Sequence, residues 1–560
     1  MARTPLLRSL VRLSADHAAA AEQGVPVDAV REGRERARER RAGALSRREF
    51  LAGAAAAGAF ATAAVLPRAA RAATGPRIAI VGGGISGLTA ALTLADNGLA
   101  STVYEASTRL GGRMHSDSTL VTGGRDVHTD WQDNQVSEWC GELIDSNHKT
   151  ILSLAQRYKL ATTDLLGAEP NSSEDTYYFD GAFYPKAQAD IDFQPVHNAL
   201  QGDVSKASYP TLYNLSTPTG QALDAMSVYD WIDSRVPGGH GSPFGQLLDV
   251  AYNIEYGAET TDQASLNLVY LLGYKARPGN FAIFGASDER YHILGGNQRL
   301  PETIAADIDG RGVSIETGAR LSAIALRSDG SYSLSFDGRS GAVIADHVVL
   351  ALPFAVLRTL SYNRAGFDSL KKLAIERLGR GRNDKLQLQF TNRLWNGTGA
   401  HAWPGVSNGS SYSDTGYQNT WDVSRGQAGS SGILVDYTGG NVAGSFAPSS
   451  PYSTAATNPQ VTAYAQAFLN QLAPVFPGIG ALWNGKASLS HPASDPNLLL
   501  SYSYWRVGQY TSFAGYEKKR QANVHFAGEH CSQDFQGFME GGASEGVRAA
   551  GEIPTDLKKA

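Results

Sequence analysis

The chain has 560 residues, with 49 Lys and Arg against 54 Asp and Glu, a net charge of −5 and 42% hydrophobic residues. That length exceeds one ordinary domain, and the composition supports a large core, which excludes disordered and fibrous classes. The acidic balance argues against nucleic acid as a partner. Two cysteines, Cys140 and Cys531, are too few for a metal cluster or a disulfide framework.

The first 73 residues differ from the rest. They hold 13 Arg, 7 Asp or Glu and no Lys, so the remainder is more acidic than the whole. An acidic surface attracts cationic small molecules. Arg31 to Arg41 is a solvated charge run, followed by Arg47-Arg48 and the Ala/Gly-rich apolar stretch Leu51 to Leu66. Ala70-Arg71-Ala72 is a small-x-small cleavage site. This layout predicts export by the twin-arginine route, to a periplasmic or extracellular location. The apolar stretch is too short for a stable membrane span, and an uncleaved amphipathic anchor is the alternative reading.

Arg77 to Arg113 predicts a strand, a glycine turn, a helix, and a second strand ending at Glu105. Gly82, Gly84 and Gly87 fit G-x-G-x-x-G. The first glycine permits the turn, the second lets backbone approach a pyrophosphate, and the third lets the helix pack close to the strand. The following helix points its N-terminal N–H groups at the phosphates. Glu105 stands where an acid accepts from a ribose hydroxyl.

Residues 116–135 read as a polar surface excursion. A helix is expected from near Asn147, then a hairpin over Thr176 to Pro185 with Asp180-Gly181 as its turn, then mostly helical periodicity over about 190–275. Tyr291 to Asn297 is a strand into a glycine turn, with a helix over 300–308 behind it. Strands follow at 313–316, 321–327, 331–336, 347–352, 385–390 and 433–437, and a helix over 461–472. The tail repeats the nucleotide theme: Asn523 to Glu529 is a strand into a turn, and Phe535 to Gly541 opens a helix reaching about Glu552.

Three segments together carry a family resemblance: IVGGGISGL…VYEASTRLGGR, VVLALP with Lys385 after it, and FAGEH…QGFMEGGASEG. The chain resembles the flavin-containing amine oxidases, the group of monoamine, polyamine and L-amino acid oxidases. The resemblance implies an α/β fold: a Rossmann-like FAD-binding domain with an interleaved α+β substrate domain containing an antiparallel sheet. Residues 74–145, 291–358 and 500–560 would build the first, and 146–290 and 359–499 the second.

Carried over by motif, Gly82, Gly84, Ser86 and Gly87 face the pyrophosphate, Glu105 and Ala106 the adenosine end, and Gly112 and Arg113 the phosphates. Gly141, Glu142 and Leu143 pass the flavin. Gly528, Glu529, Phe538 and Met539 lie at the ribityl chain and ring. The family's lysine that holds a water at flavin N5 corresponds to Lys385, ten residues before Trp395. Tyr510 and Phe538 are expected as two rings framing the amine, with cation–π attraction for its ammonium form. The position of the FAD-linking cysteine is taken by Gln509, which implies non-covalent FAD.

The resemblance further implies a small-molecule amine substrate, O2 as acceptor, and a homodimer. Many L-amino acid oxidases carry an arginine for the substrate carboxylate two residues after the glycine of the segment matching 141–143. None stands at 143–145, which favours amines over amino acids, although Arg506 is a possible replacement. An L-amino acid oxidase therefore stays open, as does a flavin desaturase acting on C–C bonds. Asp145, Asp288 and Glu289 are candidate partners for a distal ammonium. Cys140 and Cys531 either pair or remain buried thiols.

Overall fold

The computed structural model describes residues 75–121, 127–397 and 405–558. The export signal expected at 1–73 lies outside them. Ile78–Val81 is a continuous apolar run with all four residues buried. A strand apolar on both faces needs cover on both, as in a parallel α/β sheet. It is the central strand of five, in the order 524–526, 347–350, 78–81, 101–104, 313–316, all parallel.

The period-2 alternation divides the strand's side chains between two cores. Ile78 and Ile80 pack with helix Ile85–Asp96, helix Arg299–Ile308 and the C-terminal helix Met539–Leu557. Ala79 and Val81 face the three-stranded antiparallel sheet of 321–345 and residues 354–378. The helices at 85–96 and 539–557 approach closely. A Cβ on Gly546 would lie 2.1 Å from the Ser86 carbonyl oxygen.

The other half rests on an eight-stranded mixed sheet, ordered 452–454, 483–490, 383–390, 432–439, 419–422, 407–413, 174–179, 182–184. The hairpin turns at Asp180-Gly181. Tyr177, Phe179 and Tyr412 pack with the helices of 186–273, while Leu386, Leu388 and Leu434 pack with helix Pro459–Leu472. The architecture is thus α/β with an interleaved α+β half. Among the described residues no helix is long and apolar enough to cross a membrane.

Two expectations change. The described part of 116–135 is only partly a surface excursion: Leu120, His128, Asp130 and residues 132–134 are exposed, but Ser116–Asp117 pairs with Ser137–Glu138, and Asp117, Trp131 and Gln135 are buried. Polar side chains made this stretch look exposed, but they are satisfied internally, as by Ser116 Oγ donating to Glu138 Oε2 at 2.7 Å. The helix Ser369–Arg377, assigned by sequence to the substrate half, packs with Val348, Leu350 and Phe526 of the nucleotide sheet. Both cysteines are free thiols, Cys531 buried and Cys140 partly so.

Candidate active site

One cavity holds about 880 Å³, within the range of cofactor and ligand sites. Gly82, Gly84, Ser86, Glu105, Ala106 and Gly112 line it at the nucleotide sheet, and Lys385, Trp421, Tyr437, Tyr502 and Phe538 line it in the substrate half. Cofactor cradle and substrate chamber are one continuous space.

The cradle offers donors that nothing in the protein takes up. Helices Ile85–Asp96 and Met539–Leu557 both begin without a side-chain cap. Their first N–H groups and positive dipole ends suit a pyrophosphate. Ser86 Oγ is buried without a partner. Glu105 accepts from Gly83 N at 2.6 Å and Ser107 N at 2.8 Å, one bond per oxygen. Each oxygen keeps a lone pair for a ribose hydroxyl. These features fit FAD.

Arg113 and Glu529 tie the segments together. Arg113 Nη1 donates to Ser501 O at 2.9 Å and to Glu529 Oε1 at 3.0 Å. Glu529 also accepts from Ser503 N and, through Oε2, from Gly537 N at 2.9 Å. Burial works to raise the Glu529 pKa, but Arg113 and these N–H donors outweigh it and hold the carboxyl below its ordinary value. Gly528, Met539, Gly141 and Leu143 line the same space.

Lys385 lies in strand Asn383–Phe390, every residue of which is buried. Its Nζ donates to Glu142 Oε2 at 2.7 Å, and Trp421 Nε1 donates to Glu142 Oε1 at 2.9 Å. The ammonium stands 5.3 Å from the centroid of the Trp421 ring. Burial opposes ionisation of Glu142, yet Lys385 and Trp421 keep its pKa below the ordinary value. Lysine, carboxylate and indole form one clamp facing the cavity.

Gly87, Tyr510 and Arg506 are placed elsewhere than expected. Gly87 faces away from the cavity: a Cβ there would lie 1.9 Å from Gly82 O, so the glycine allows helix-on-turn packing. Tyr510 does not face the chamber. Its ring packs on Trp505 and Tyr270, and its hydroxyl donates to Asn267 Oδ1 at 3.0 Å. The neighbouring Gln509 is likewise turned inward, donating to Arg377 O and accepting from Gly379 N. Arg506 is exposed and paired with Asp262 at 2.7 Å, outside the cavity lining.

In this stretch Tyr502 is the tyrosine that lines the chamber. Its hydroxyl donates to Ile254 O at 2.9 Å and meets the Tyr437 hydroxyl at 2.9 Å. The alternation Ser501-Tyr502-Ser503-Tyr504 marks an extended segment. Which tyrosine faces inward depends on Tyr504 pairing with Gly379 and on the Arg113 bond to Ser501. Ser501, not Gln509, stands at the cavity wall beside it.

Asp145 is buried and fully engaged, accepting from Ser287 Oγ at 2.8 Å and Glu289 N at 2.9 Å. Asp288 accepts from Ser146 N at 2.8 Å. Of the three acids expected near a distal ammonium, Glu289 alone keeps an uncommitted carboxylate in the lining. Trp421, Tyr437, Tyr502 and Glu255 carried no motif signal; strand register and helix packing bring them here.

Comparison with known proteins matches residues 85–554 to a family described as flavin containing amine oxidoreductase. Polyamine oxidase 2 of Arabidopsis thaliana is 24% identical over 487 residues, covering 85% of this chain and 87% of that one. A putative L-amino-acid oxidase of Bacillus subtilis, YobN, is 23% identical over 496 residues, covering 85% and 94%. Among solved structures, the cyclohexylamine oxidase from Brevibacterium oxydans superposes with a TM-score of 0.69 at 21% identity, covering 86% of this chain and 99% of that one.

Proposed function

The chain belongs to the flavin-containing amine oxidoreductase family, and from that premise we infer that it oxidises a primary amine to an imine, which hydrolyses to aldehyde and ammonia as O2 is reduced to H2O2. FAD binds in the cradle of 82–113 and 528–539. The observation that carries the substrate reading is the chamber's cation balance. Lys385 is committed to Glu142 and Arg425 to Glu169 at 2.7 Å. Among the described residues, no unpaired arginine lines the substrate half to receive an amino-acid carboxylate.

Bound FAD supplies the acceptor for the hydrogen and electron pair leaving the carbon next to nitrogen. The protein's own part is placement. Lys385 Nζ has three donors; Glu142 takes one, and the remainder can hold a water at the chamber's cofactor end. Phe538, Tyr502 and Tyr437 present aromatic walls on which a neutral amine can lie with its C–H bond directed to the cofactor. These walls exclude bulk water, which strengthens the Lys385–Glu142 interaction.

A peroxide assay over primary amines and L-amino acids tests the reading. Activity on amines is expected, and turnover of amino acids alone would overturn it. The reading includes export by the twin-arginine route, supported by Arg47-Arg48 and the apolar stretch after them. Replacing both arginines by lysine should retain the protein inside the cell. It also includes a homodimer, by family analogy, which light scattering of the purified protein checks.

A further inference from the structure

The face of the nucleotide sheet that meets the C-terminal helix carries two imidazoles. His347 opens strand 347–350, and His525 is the middle residue of strand 524–526. The strands pair in parallel with Val349 opposite His525, so the period-2 alternation sets both histidines on one face. Val349 packs there in one core with Ile553 of helix Met539–Leu557. The end of that helix brings Glu552 and Asp556, four residues apart, over the same face. His347 and His525 are buried, at 6% and 0% exposure, and Asp556 is half-buried.

The four side chains converge. His347 Nδ1 and His525 Nε2 face each other at 3.3 Å. A carboxylate oxygen of Asp556 completes a set of three ligand atoms that lie within 4.8 Å of one another. Tetrahedral zinc, with bonds of about 2.0–2.2 Å, holds its ligand atoms about 3.3–3.6 Å apart. The two imidazoles are at that spacing, and a rotation of the Asp556 side chain brings the third ligand in. On its other side His525 Nδ1 meets Glu552 Oε2 at 2.6 Å. With the Nδ1 proton given to Glu552, Nε2 keeps its lone pair toward His347 and Asp556. A carboxylate behind a ligating imidazole fixes its tautomer and ring orientation in just this way.

The surroundings suit a cation. The C-terminus is the negative end of a helix dipole, and the last turn of this helix holds Asp556 and no basic residue. Arg520 pairs with Asp556, but both side chains reach solvent, where such a pair is weak. Arg548 is engaged with Glu545 and Glu552. A shared proton accounts for the two ring nitrogens alone. It does not call for one carboxylate beside them and a second behind His525.

We propose that His347, His525 and Asp556 bind a zinc-class divalent cation, with water as the fourth ligand and Glu552 as the positioning residue behind His525. Two imidazoles and one carboxylate suit a borderline metal, whereas Mg²⁺ and Ca²⁺ take oxygen ligands. His347 pairs with Ile78 at the start of the central strand, and Gly82 follows the other end of that strand. The site therefore lies at the opposite end of the sheet from the FAD cradle, and its ion is structural. It fastens the last turn of the helix whose first turn faces the cofactor.

The test takes the FAD-loaded enzyme after chelation and titrates it with Zn²⁺ in a calorimeter, in wild type, Asp556→Asn, Glu552→Gln and His525→Asn, with flavin content confirming the fold of each. The expected result is one ion per chain in wild type, with affinity about 10-fold or more lower in Asp556→Asn, about 10–100-fold lower in Glu552→Gln, and binding lost in His525→Asn. Zinc should also raise the melting temperature of wild type and leave that of His525→Asn unchanged. Less than one ion per chain in wild type, or one ion held equally by wild type, Asp556→Asn and Glu552→Gln, would overturn the proposal. If His525→Asn does not fold, the two helix variants, at partly exposed positions, decide the matter. Turnover does not enter the measurement, so its outcome is independent of the amine-oxidase reading.

Discussion

Lys385 Nζ donates to Glu142 Oε2 at 2.7 Å, across a contact between residues 243 apart in sequence. The pair joins the cofactor half, through 141–143, to an inner strand, 383–390, of the substrate half's sheet. Lys385→Met is expected to slow flavin reduction or reoxidation by about 10²-fold, because a positioned group is lost from the cofactor end of the chamber. Glu142→Gln should also lower both rates, by about 10-fold, since the ammonium loses its charged partner but keeps an amide acceptor. Stopped-flow absorbance of the flavin measures both; unchanged rates in Lys385→Met would remove the residue from the mechanism.

The two tyrosines at 502 and 510 separate chamber from core. Tyr510→Phe deletes a buried hydroxyl that bonds Asn267, and is expected to cost about 1–2 kcal/mol of stability while leaving kcat/KM within about two-fold. Tyr502→Phe breaks the bonds to Ile254 and Tyr437 at the chamber wall. It should raise KM several-fold. Denaturant melts and steady-state kinetics on both variants make the comparison, and a kinetic defect confined to Tyr510→Phe would reverse the assignment.

Gly84 and Gly87 belong to one motif but do different work. A Cβ on Gly87 meets Gly82 O at 1.9 Å, whereas a Cβ on Gly84 finds nothing closer than 3.7 Å. Gly87→Ala should therefore destabilise the nucleotide half by about 3 kcal/mol or more, or prevent folding. Gly84→Ala should fold and lose FAD affinity, because its methyl group stands in the cradle. Purifying both variants and measuring flavin content against melting temperature distinguishes them.

FAD is held without a covalent bond. Gln509 is buried against backbone, and the wall position beside Tyr502 is Ser501, so neither can form a thioether. Acid precipitation is expected to leave the yellow colour in the supernatant. Colour in the pellet would point to another attachment.

Asp117 is buried with its carboxyl pushed up to about 7 by desolvation, partly offset by the Thr129 N–H at 2.8 Å. A raised acid pKa means the folded protein binds the proton more tightly than the unfolded chain. Its unfavourable contribution is absent below about pH 4, grows as pH rises towards 7, and is fully present above that. Asp117→Asn should therefore gain stability over wild type at pH 8, by about 2–4 kcal/mol, and show little difference at pH 4. Melting curves at the two pH values check the sign; a gain at pH 4 would contradict it.

Much of the nucleotide half was legible because its determinants are local. A short apolar strand, a glycine turn, a helix and a terminal acid are contiguous, and each glycine answers a backbone requirement within a few residues. Glu105 and Gly112 could be located by their distance from such signals, whereas Lys385 could be assigned only through the family resemblance. The substrate chamber has no local code. Its walls come from strands and helices far apart in sequence, and a one-residue change in register exchanges the inward and outward faces.

That is why Tyr502 and Tyr510 are indistinguishable as letters. The bond from Arg113 to Ser501, and the pairing of Ser503–Tyr504 with 379–380, turn Tyr502 inward. For the same reason Glu255 carries no motif, and Asp145 looks like a ligand until Ser287 and Glu289 occupy it. The sequence by itself determined the cofactor class, the family and the positions of the phosphate-binding turns, since backbone chemistry at adjacent residues sets these. Only the tertiary structure decided which rings and carboxylates face the substrate, because burial and hydrogen-bond satisfaction are properties of the assembled chain.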